Sequence, residues 1–511
     1  VSAAGDSLAS VLRAVRRKGV HLWAEGGLLR YRAPKGSLTA AEIEILRRLK
    51  SQIVPLLERT AASEPEPERR PHADRAPLTF AQIAHWNHYR LSEHLSKRLV
   101  TDVLRVRGRL DIGVLRESLD EMADRHEALR VRIGFDDGMP EQRIGERGTC
   151  ALEVEDLRHL PRSSQAAEIR RRIDRLILDP VDVSRDPLCM LRLLKVHDDD
   201  AVLALGMEHL VSDGSSLNIL LRELFQACSA RMHGRNRSLP SIPLQYGDHA
   251  YRQRRAEQAW IQRHEPYWTA RMAGCRRVSF PAERHLEPLA PGWGNVSFQV
   301  GPELKRALRE WCRSEQTTLV MGVFAAYVAL VLRWCDVPDA VFQYQSNGRA
   351  SEEVENTIGL FAYPLCMRLE VTHDDTFPDL LRRVRDGYCT AHEHADFGYC
   401  AAQLPRPEFF RNTIFNWTPR GGRGEARPVG SGEDLVWAPM PFDYPQSWNT
   451  DMDGEPSVLL YDSEHDIWGD VYFPLNRFTP AGMERFVRSF RQFIREMTAR
   501  PGRRVSDVQL P

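Results

Sequence analysis

The sequence has no cysteine pair at C-x-x-C spacing, and its nine cysteines, an odd number, are scattered from Cys150 to Cys400. That argues against a disulfide framework and a thiolate zinc site and favours reduced thiols in a cytoplasmic protein. No apolar run is long enough to cross a bilayer: the longest, Leu319 to Leu332, has 14 residues and reads as a buried helix. The N-terminus lacks the basic, apolar and small-residue order of a signal peptide. Net charge is absent too, with 70 Lys and Arg against 70 Asp and Glu, so the overall balance points to neither nucleic acid nor a membrane surface. What is present, 42% apolar and 27% charged residues in 511, is globular material enough for roughly two to four domains.

The zero balance hides an asymmetry. Residues 1–58 hold ten Lys or Arg against five Asp or Glu, so they carry about +5 and the remainder about −5. Leu8, Val11, Leu12 and Val15 fall on one face of a predicted helix, and Val20 to Ala24 and Leu28 to Arg32 form a hairpin across Glu25-Gly26-Gly27. Thr39 and Glu42 then make a capping box for a second helix. So small a unit suits a binding module whose hairpin edge accepts a strand from another chain, with Arg30, Arg32 and Lys35 supplying charge for an acidic peptide. From Arg59 to Ala76 the composition shifts to Pro, Glu, Arg, Ala and Ser without apolar periodicity, and residues 59–76 read as a flexible linker.

The most informative stretch is Met207 to Ser216, M-E-H-L-V-S-D-G-S-S. The apolar run Ala201 to Gly206 predicts a buried strand before it, and Leu217, Leu220, Leu221 and Leu224 at helical spacing predict a helix after it. His209 therefore sits on a loop held by two rigid elements, where a side chain is aimed accurately. Asp213 either caps the helix or turns inward as a buried carboxylate paired with an arginine, and either arrangement fixes the loop. Gly214 removes a side chain where a substrate would pass. Spacing alone does not separate this stretch from a surface turn.

Context does. Glu208-His209-Leu210-Val211-Ser212-Asp213-Gly214 resembles the H-H-x-x-x-D-G signature of the condensation domains of nonribosomal peptide synthetases, with Glu208 in place of the first His. Further segments resemble other motifs of that family, in the family's order. They are Pro77 to Gln82 with Trp86, Arg125-His126-Glu127-Ala128-Leu129-Arg130, and Tyr246-Gly247-Asp248. Ile358-Gly359-Leu360-Phe361 follows, with Tyr363-Pro364 where Asn-Thr is usual, then His392 to Phe397 and Arg411-Asn412 through Phe415-Asn416-Trp417. By itself R-H-E-x-L-R would be a solvated helix end, and His392 and His394 would be surface residues rather than metal ligands. Gly19 to Thr39 is similar to the tubulysin-type N-terminal docking domains of hybrid synthetase subunits. Together the resemblances imply an α/β (α+β) fold: two chloramphenicol-acetyltransferase-like lobes in a V, at 77–262 and 263–511, behind a small helix and hairpin docking domain at 1–58.

The family's chemistry brings donor and acceptor as thioesters on the phosphopantetheine arms of two carrier proteins, so that they meet near His209, with no cofactor or metal bound by the domain itself. His209 is the motif side chain that exchanges a proton near neutral pH, and is expected to act as the base or to orient the amine. Arg349 matches the family's arginine that pairs with the motif aspartate; Asp213 and Arg349 would brace the loop, and Gly214 would leave room for the acceptor. Ser216, Tyr363, Asn416 and Trp417 are the cleft candidates. The expected product is an amide, in nonribosomal peptide or hybrid polyketide biosynthesis. If the backbone is still extended at Glu208, residues 208 and 209 point to opposite sides and Glu208 is a structural substitution. Two other readings stand beside this one. Glu208, Asp213 and Ser216 fit the D-x-x-x-x-D-x-x-S spacing of cyclization domains, which form azolines, although His209 and Gly214 are retained. A noncatalytic platform that recruits a partner enzyme to a carrier-bound peptide would share the fold. The docking resemblance implies capture of the acidic C-terminal tail of an upstream subunit and allows a homodimer through the same unit. Val505 to Pro511 resembles a boundary before an adenylation domain.

Overall fold

Periodicity and capping set most of the elements. The computed structural model describes residues 20–25, 28–32, 38–51, 53–55, 69–91, 99–147, 150–235, 239–275, 278–283, 292–349, 351–395, 413–418, 429–432, 434–440 and 455–510. The N-terminal unit contains β1 (His21–Glu25) and β2 (Leu28–Arg32), paired antiparallel from His21 opposite Arg32 to Glu25 opposite Leu28. The Ala40–Arg48 helix starts at the Thr39–Glu42 capping box read from the sequence. Val20, Leu46 and Ile53 form its small core, with Leu22, Leu29 and Leu38 packed against them. The first helix, expected around Leu8 to Val15, and Lys35 lie outside the described residues.

The linker expected to run to Ala76 gives way to ordered chain earlier. Arg69 donates to Asp248 at 2.9 Å, and Arg70 donates to both oxygens of Glu127 at 3.0 and 2.7 Å. These buried carboxylates need cationic partners, and the two arginines supply them. Chain from Arg69 onward is thereby tied to the body, and β3 (Arg75–Pro77) already pairs in a sheet.

The first lobe is built on β4 (Leu99–Arg107), β7 (Ala151–Asp156), β8 (Cys189–His197) and β9 (Asp200–Glu208), with a separate small sheet in the order β3, β6 (Met139–Ile144), β5 (Val131–Asp136). β9 is buried from Ala201 to Glu208, as a near-continuous apolar strand must be when both sheet faces are covered. One face carries the Ile112–Arg125 and Gly214–Met232 helices, the other the Arg162–Leu178 helix.

The second lobe orders β10 (Trp293–Gln299), β17 (Ile467–Pro474), β16 (Ser457–Asp462), β13 (Ile414–Thr418), β11 (Asp339–Ser346) and β12 (Tyr363–Glu370). The Leu319–Trp334 helix, the long apolar run of the sequence, is buried from Gly322 through Leu332 and packs with the Phe377–Glu393 and Pro480–Ala499 helices. Among the described residues no single helix is long and apolar enough to cross a membrane.

Two features depart from the expected lobe boundary. Residue 262 falls inside a helix, Glu257–Met272. In addition, β14 (Gly430–Ser431) and β15 (Val436–Pro439), from the second half of the chain, join the first sheet, with Val436 opposite Arg107 and Pro439 opposite Leu104. Sequence reading cannot foresee this pairing, because a four-residue strand carries no address for a partner so distant in the chain.

Candidate active site

β9 ends at Glu208, a 3₁₀ turn carries His209 to Val211, and Asp213 caps the next helix by accepting from Ser216 N–H at 2.8 Å. His209 is half-buried. Its Nδ1 lies 2.8 Å from the Ser212 carbonyl, which can only accept, so the neutral ring carries its proton on Nδ1 and keeps the Nε2 lone pair. The Ser212 hydroxyl donates to the Glu208 carbonyl at 3.0 Å, which tightens the turn further. Glu208 is extended and 2% exposed, so its side chain is inside the protein beside the histidine turn.

Asp213 does both of the things its position suggested. Besides capping, it accepts from Arg349 at 2.8 and 3.1 Å and from the backbone N–H groups of Phe361 and Ala362 at 3.0 Å each. Burial pushes its carboxyl upward, but the Arg349 charge and these hydrogen bonds outweigh burial and hold it below the usual carboxylate range. The Ser216 hydroxyl oxygen is 2.9 Å from Asp213 and 2.8 Å from the Gly359 carbonyl, either of which takes its one proton. It accepts from Gly359 N–H at 3.0 Å and from Arg349 at 2.9 Å. Arg349 also lies over the Phe361 ring, 4.5 Å from its centroid. Asp213 and Ser216 belong to the first lobe and the others to the second, so the histidine loop is bolted to the opposite lobe.

Two glycines make this junction geometrically feasible. Gly348, in the turn before Arg349, has φ +64°, and a Cβ there would meet the Phe361 carbonyl oxygen at 1.8 Å. At Gly359 a Cβ would lie 2.0 Å from the Tyr246 ring. Gly214 is different: it is exposed, and among the described residues an added Cβ would meet nothing within 4 Å. Those residues leave room beside the histidine turn.

The remaining motif segments prove to be braces. Gln82 donates to the Leu210 carbonyl at 2.8 Å, and Thr79 is hydrogen-bonded at 3.0 Å to the Tyr246 hydroxyl, which in turn donates to the Leu360 carbonyl at 2.7 Å. Arg125-His126-Glu127 is a buried anchor instead of a solvated helix end: Arg125 and His126 both reach Glu223, at 2.8 and 2.9 Å, and Glu127 accepts from Gly247 N–H at 2.6 Å. Sequence reading missed this because only the tertiary structure shows what faces a charged helix end. His392 and His394 are half-buried and packed on aromatic rings. His392 packs on Tyr388 at 4.4 Å, and burial pushes its pKa down to about 4. His394 stacks on Tyr267 at 3.9 Å, and its Nδ1 lies 2.8 Å from His264 Nδ1. No group of three or more metal-ligating side chains occurs among the described residues.

Of the cleft candidates, Ser216 is in the junction. Tyr363 begins β12 opposite Ser346, at the end of β11 that leads to Arg349. Asn416 and Trp417 are half-buried on β13, opposite Leu459 and Leu460. On the docking hairpin Arg30 is exposed on β2 beside the exposed Leu28 and Tyr31, and Arg32 ends the strand. A residue passed over in the sequence is His85, on the Phe80–Leu91 helix, whose ring centroid lies 4.6 Å from that of His209.

The chain belongs to the condensation domain family, which it matches over residues 72–407. Residues 9–59 match the TubC N-terminal docking domain. Among curated relatives, it is 33% identical over 349 residues to phosphinothricin tripeptide synthetase PhsC of Streptomyces viridochromogenes, covering 67% of this chain and 32% of that protein. It is 28% identical over 464 residues to chondramide synthase cmdD of Chondromyces crocatus, covering 88% of this chain and 12% of that protein. The chain therefore spans a minor part of the synthetases it matches. Its fold is that of the X-domain from teicoplanin biosynthesis, with TM-score 0.73 at 23% identity over 88% of this chain and 100% of that one. The first condensation domain of the calcium-dependent antibiotic synthetase superposes with TM-score 0.69 at 20% identity, over 85% and 100% of the two chains.

Proposed function

We propose that this chain is an acyltransferase that joins a donor acyl or peptidyl thioester on one carrier protein to the amine of an acceptor on another, forming an amide in nonribosomal peptide or hybrid polyketide biosynthesis. The observation that carries this reading is the His209 ring, held by Ser212 with its Nε2 lone pair retained, on a loop bolted to the second lobe and beside the space at Gly214. The amine nitrogen attacks the thioester carbonyl carbon, the C–S bond breaks from the tetrahedral adduct, and the proton lost by nitrogen passes through His209 Nε2 to the departing thiolate. A thioester is already activated, so alignment supplies much of the acceleration. Asp213, Arg349 and Ser216 hold the loop, and Gly214 admits the acceptor; Tyr363, Asn416 and Trp417 are assigned to the cleft wall. The phosphopantetheine arms are parts of the substrates, and this reading requires no further cofactor.

Cyclization is less well supported, because Ser216 and Asp213 are consumed by the junction and Glu208 is buried, so the three do not share an open face. For the N-terminal unit we assign capture of an acidic C-terminal tail from an upstream subunit along the β1–β2 hairpin, with Arg30, Arg32 and Lys35 as charge partners and a homodimer as its assembled form. We assign a cytoplasmic location from the sequence, with its odd number of scattered cysteines.

Intact-mass measurement of an acceptor carrier, after mixing with a loaded donor carrier and this protein, tests the assignment. One added acyl unit that vanishes in His209→Ala supports condensation, and the same gain less one water replaces it with cyclization. No gain with cognate carriers that still bind leaves a recruitment platform.

A further inference from the structure

The Phe80–Leu91 helix and the histidine turn are tied together. Thr79 and Gln82 cap the helix start reciprocally, Thr79 N–H donating to Gln82 at 2.9 Å and Gln82 N–H to Thr79 at 3.1 Å. Gln82 then spends its amide on the Leu210 carbonyl, one residue beyond His209. Trp86, 7% exposed, packs in a core that also contains Leu210 and Val211. Between Gln82 and Trp86, the helix presents His85 to His209 with ring centroids 4.6 Å apart and ring planes at 48°.

We infer that His85 is a second imidazole of the active site, a positioning residue that fixes the His209 ring and shares its proton, so that the base of the reaction is the His85–His209 pair. This rests on the condensation reading above. His85 limits the orientations open to the His209 ring, so it favours the one in which Nδ1 donates to Ser212. The electrostatic consequence is larger. Two imidazolium charges this close in a half-buried site repel, so the pair takes up its first proton readily and its second only at distinctly lower pH. On the strand and helix that flank the histidine turn, the charged groups nearest in sequence among the described residues are Glu208 at the end of β9 and Asp213 at the head of the following helix, the latter paired with Arg349. With one proton on the pair, His209 is neutral whenever His85 holds it. The pair therefore keeps a working base through a range of pH in which a single histidine would be charged.

The test is the acid limb of kcat/KM for acyl transfer, with each profile normalised to its own alkaline plateau, for wild type, His85→Phe and His85→Gln. Phe keeps a ring against His209 and Gln keeps a polar group, but neither titrates. One pH unit below the midpoint, a strongly coupled pair retains about half the plateau and a lone imidazole about a tenth, a difference of about fivefold. Acid limbs that steepen and move to higher pH in both variants are the expected result; limbs superimposable on wild type overturn the proposal. Because a variant can fail to fold, the wild-type chain carries an independent readout: the ring signals of His85 and His209, in histidine-labelled protein, should titrate in two linked steps. Independent single-step titrations overturn the proposal without any variant. Failure of wild type to transfer acyl groups at all would remove the condensation reading, whereas wild-type turnover with unlinked histidines removes only this inference.

Discussion

Replacing Arg349 by Met tests whether the junction between the lobes holds the histidine loop. The substitution leaves Asp213, 1% exposed, with the N–H groups of Ser216, Phe361 and Ala362 but without its cation. Breaking a buried pair by removing one partner costs about 3–5 kcal/mol, and the surviving donors place the expectation at the lower end, about 3 kcal/mol. The sign of the pH dependence follows from Asp213. In the wild type its depressed pKa contributes stability that is present above the unfolded carboxylate range and lost as pH falls through the folded value. Without Arg349, burial dominates and the pKa rises, so the carboxylate is destabilising at neutral pH and is relieved by protonation. The stability deficit of Arg349→Met should therefore shrink between pH 7 and pH 5. Adding Asp213→Asn removes the stranded charge, and the double variant should recover about 2 kcal/mol relative to the sum of the single losses. Urea unfolding followed by tryptophan fluorescence at the two pH values measures all of this, with acyl transfer measured in parallel. Single-variant stability within about 1 kcal/mol of wild type, or a double variant that is simply additive, would refute the reasoning.

Three further outcomes are expected. Gly214→Val should fold with a melting temperature close to wild type, because the new side chain meets none of the described residues; if the acceptor enters there, as proposed, acyl transfer should nevertheless fall at least about tenfold. His249, packed on Phe361 and Tyr246, has its pKa pushed down to about 4, chiefly by burial and then by Arg252 and Arg349. A histidine held neutral in this way stabilises fully above its unfolded pKa and loses that contribution as pH falls toward 4; between pH 7 and pH 5 the loss is about 2 kcal/mol, and His249→Phe should abolish it in urea titrations. Arg30→Glu on the docking hairpin should weaken calorimetric binding of an acidic tail peptide several-fold, with a smaller salt dependence than wild type.

How much of this was legible in the sequence depends on the range of each interaction. The strand, turn and helix around His209 follow from the Ala201–Gly206 run, the Asp213 cap and the leucine spacing, all local signals, and the structure has each of them. The Arg349–Asp213 pair came only with the family resemblance, since nothing in spacing links residues so far apart, and its geometry depends on the Gly348 turn. Arg70 and Glu223 were silent for the same reason, and Gln82 stood out only as part of a motif resemblance with no role attached: each is an ordinary polar residue until the partner that folding brings to it is known. His85 gave no signal either, as one histidine in a helix with a mixed apolar face has no periodicity of its own. Of the docking charges, Arg30 lies on a described strand, while Lys35 does not.

The strand Val436–Pro439, which completes the first sheet beside Leu104 to Arg107, has a consequence for synthesis and for engineering. During translation the outer edge of β4 must wait, uncovered, until most of the second lobe has left the ribosome. The two lobes therefore mature together, and an exposed edge is a hazard for association while they do. For the same reason a chimera joined near residue 262 would separate a sheet from its own final strands. Exchange of specificity between synthetases is better attempted by carrying both lobes as one piece, or by exchanging side chains within them.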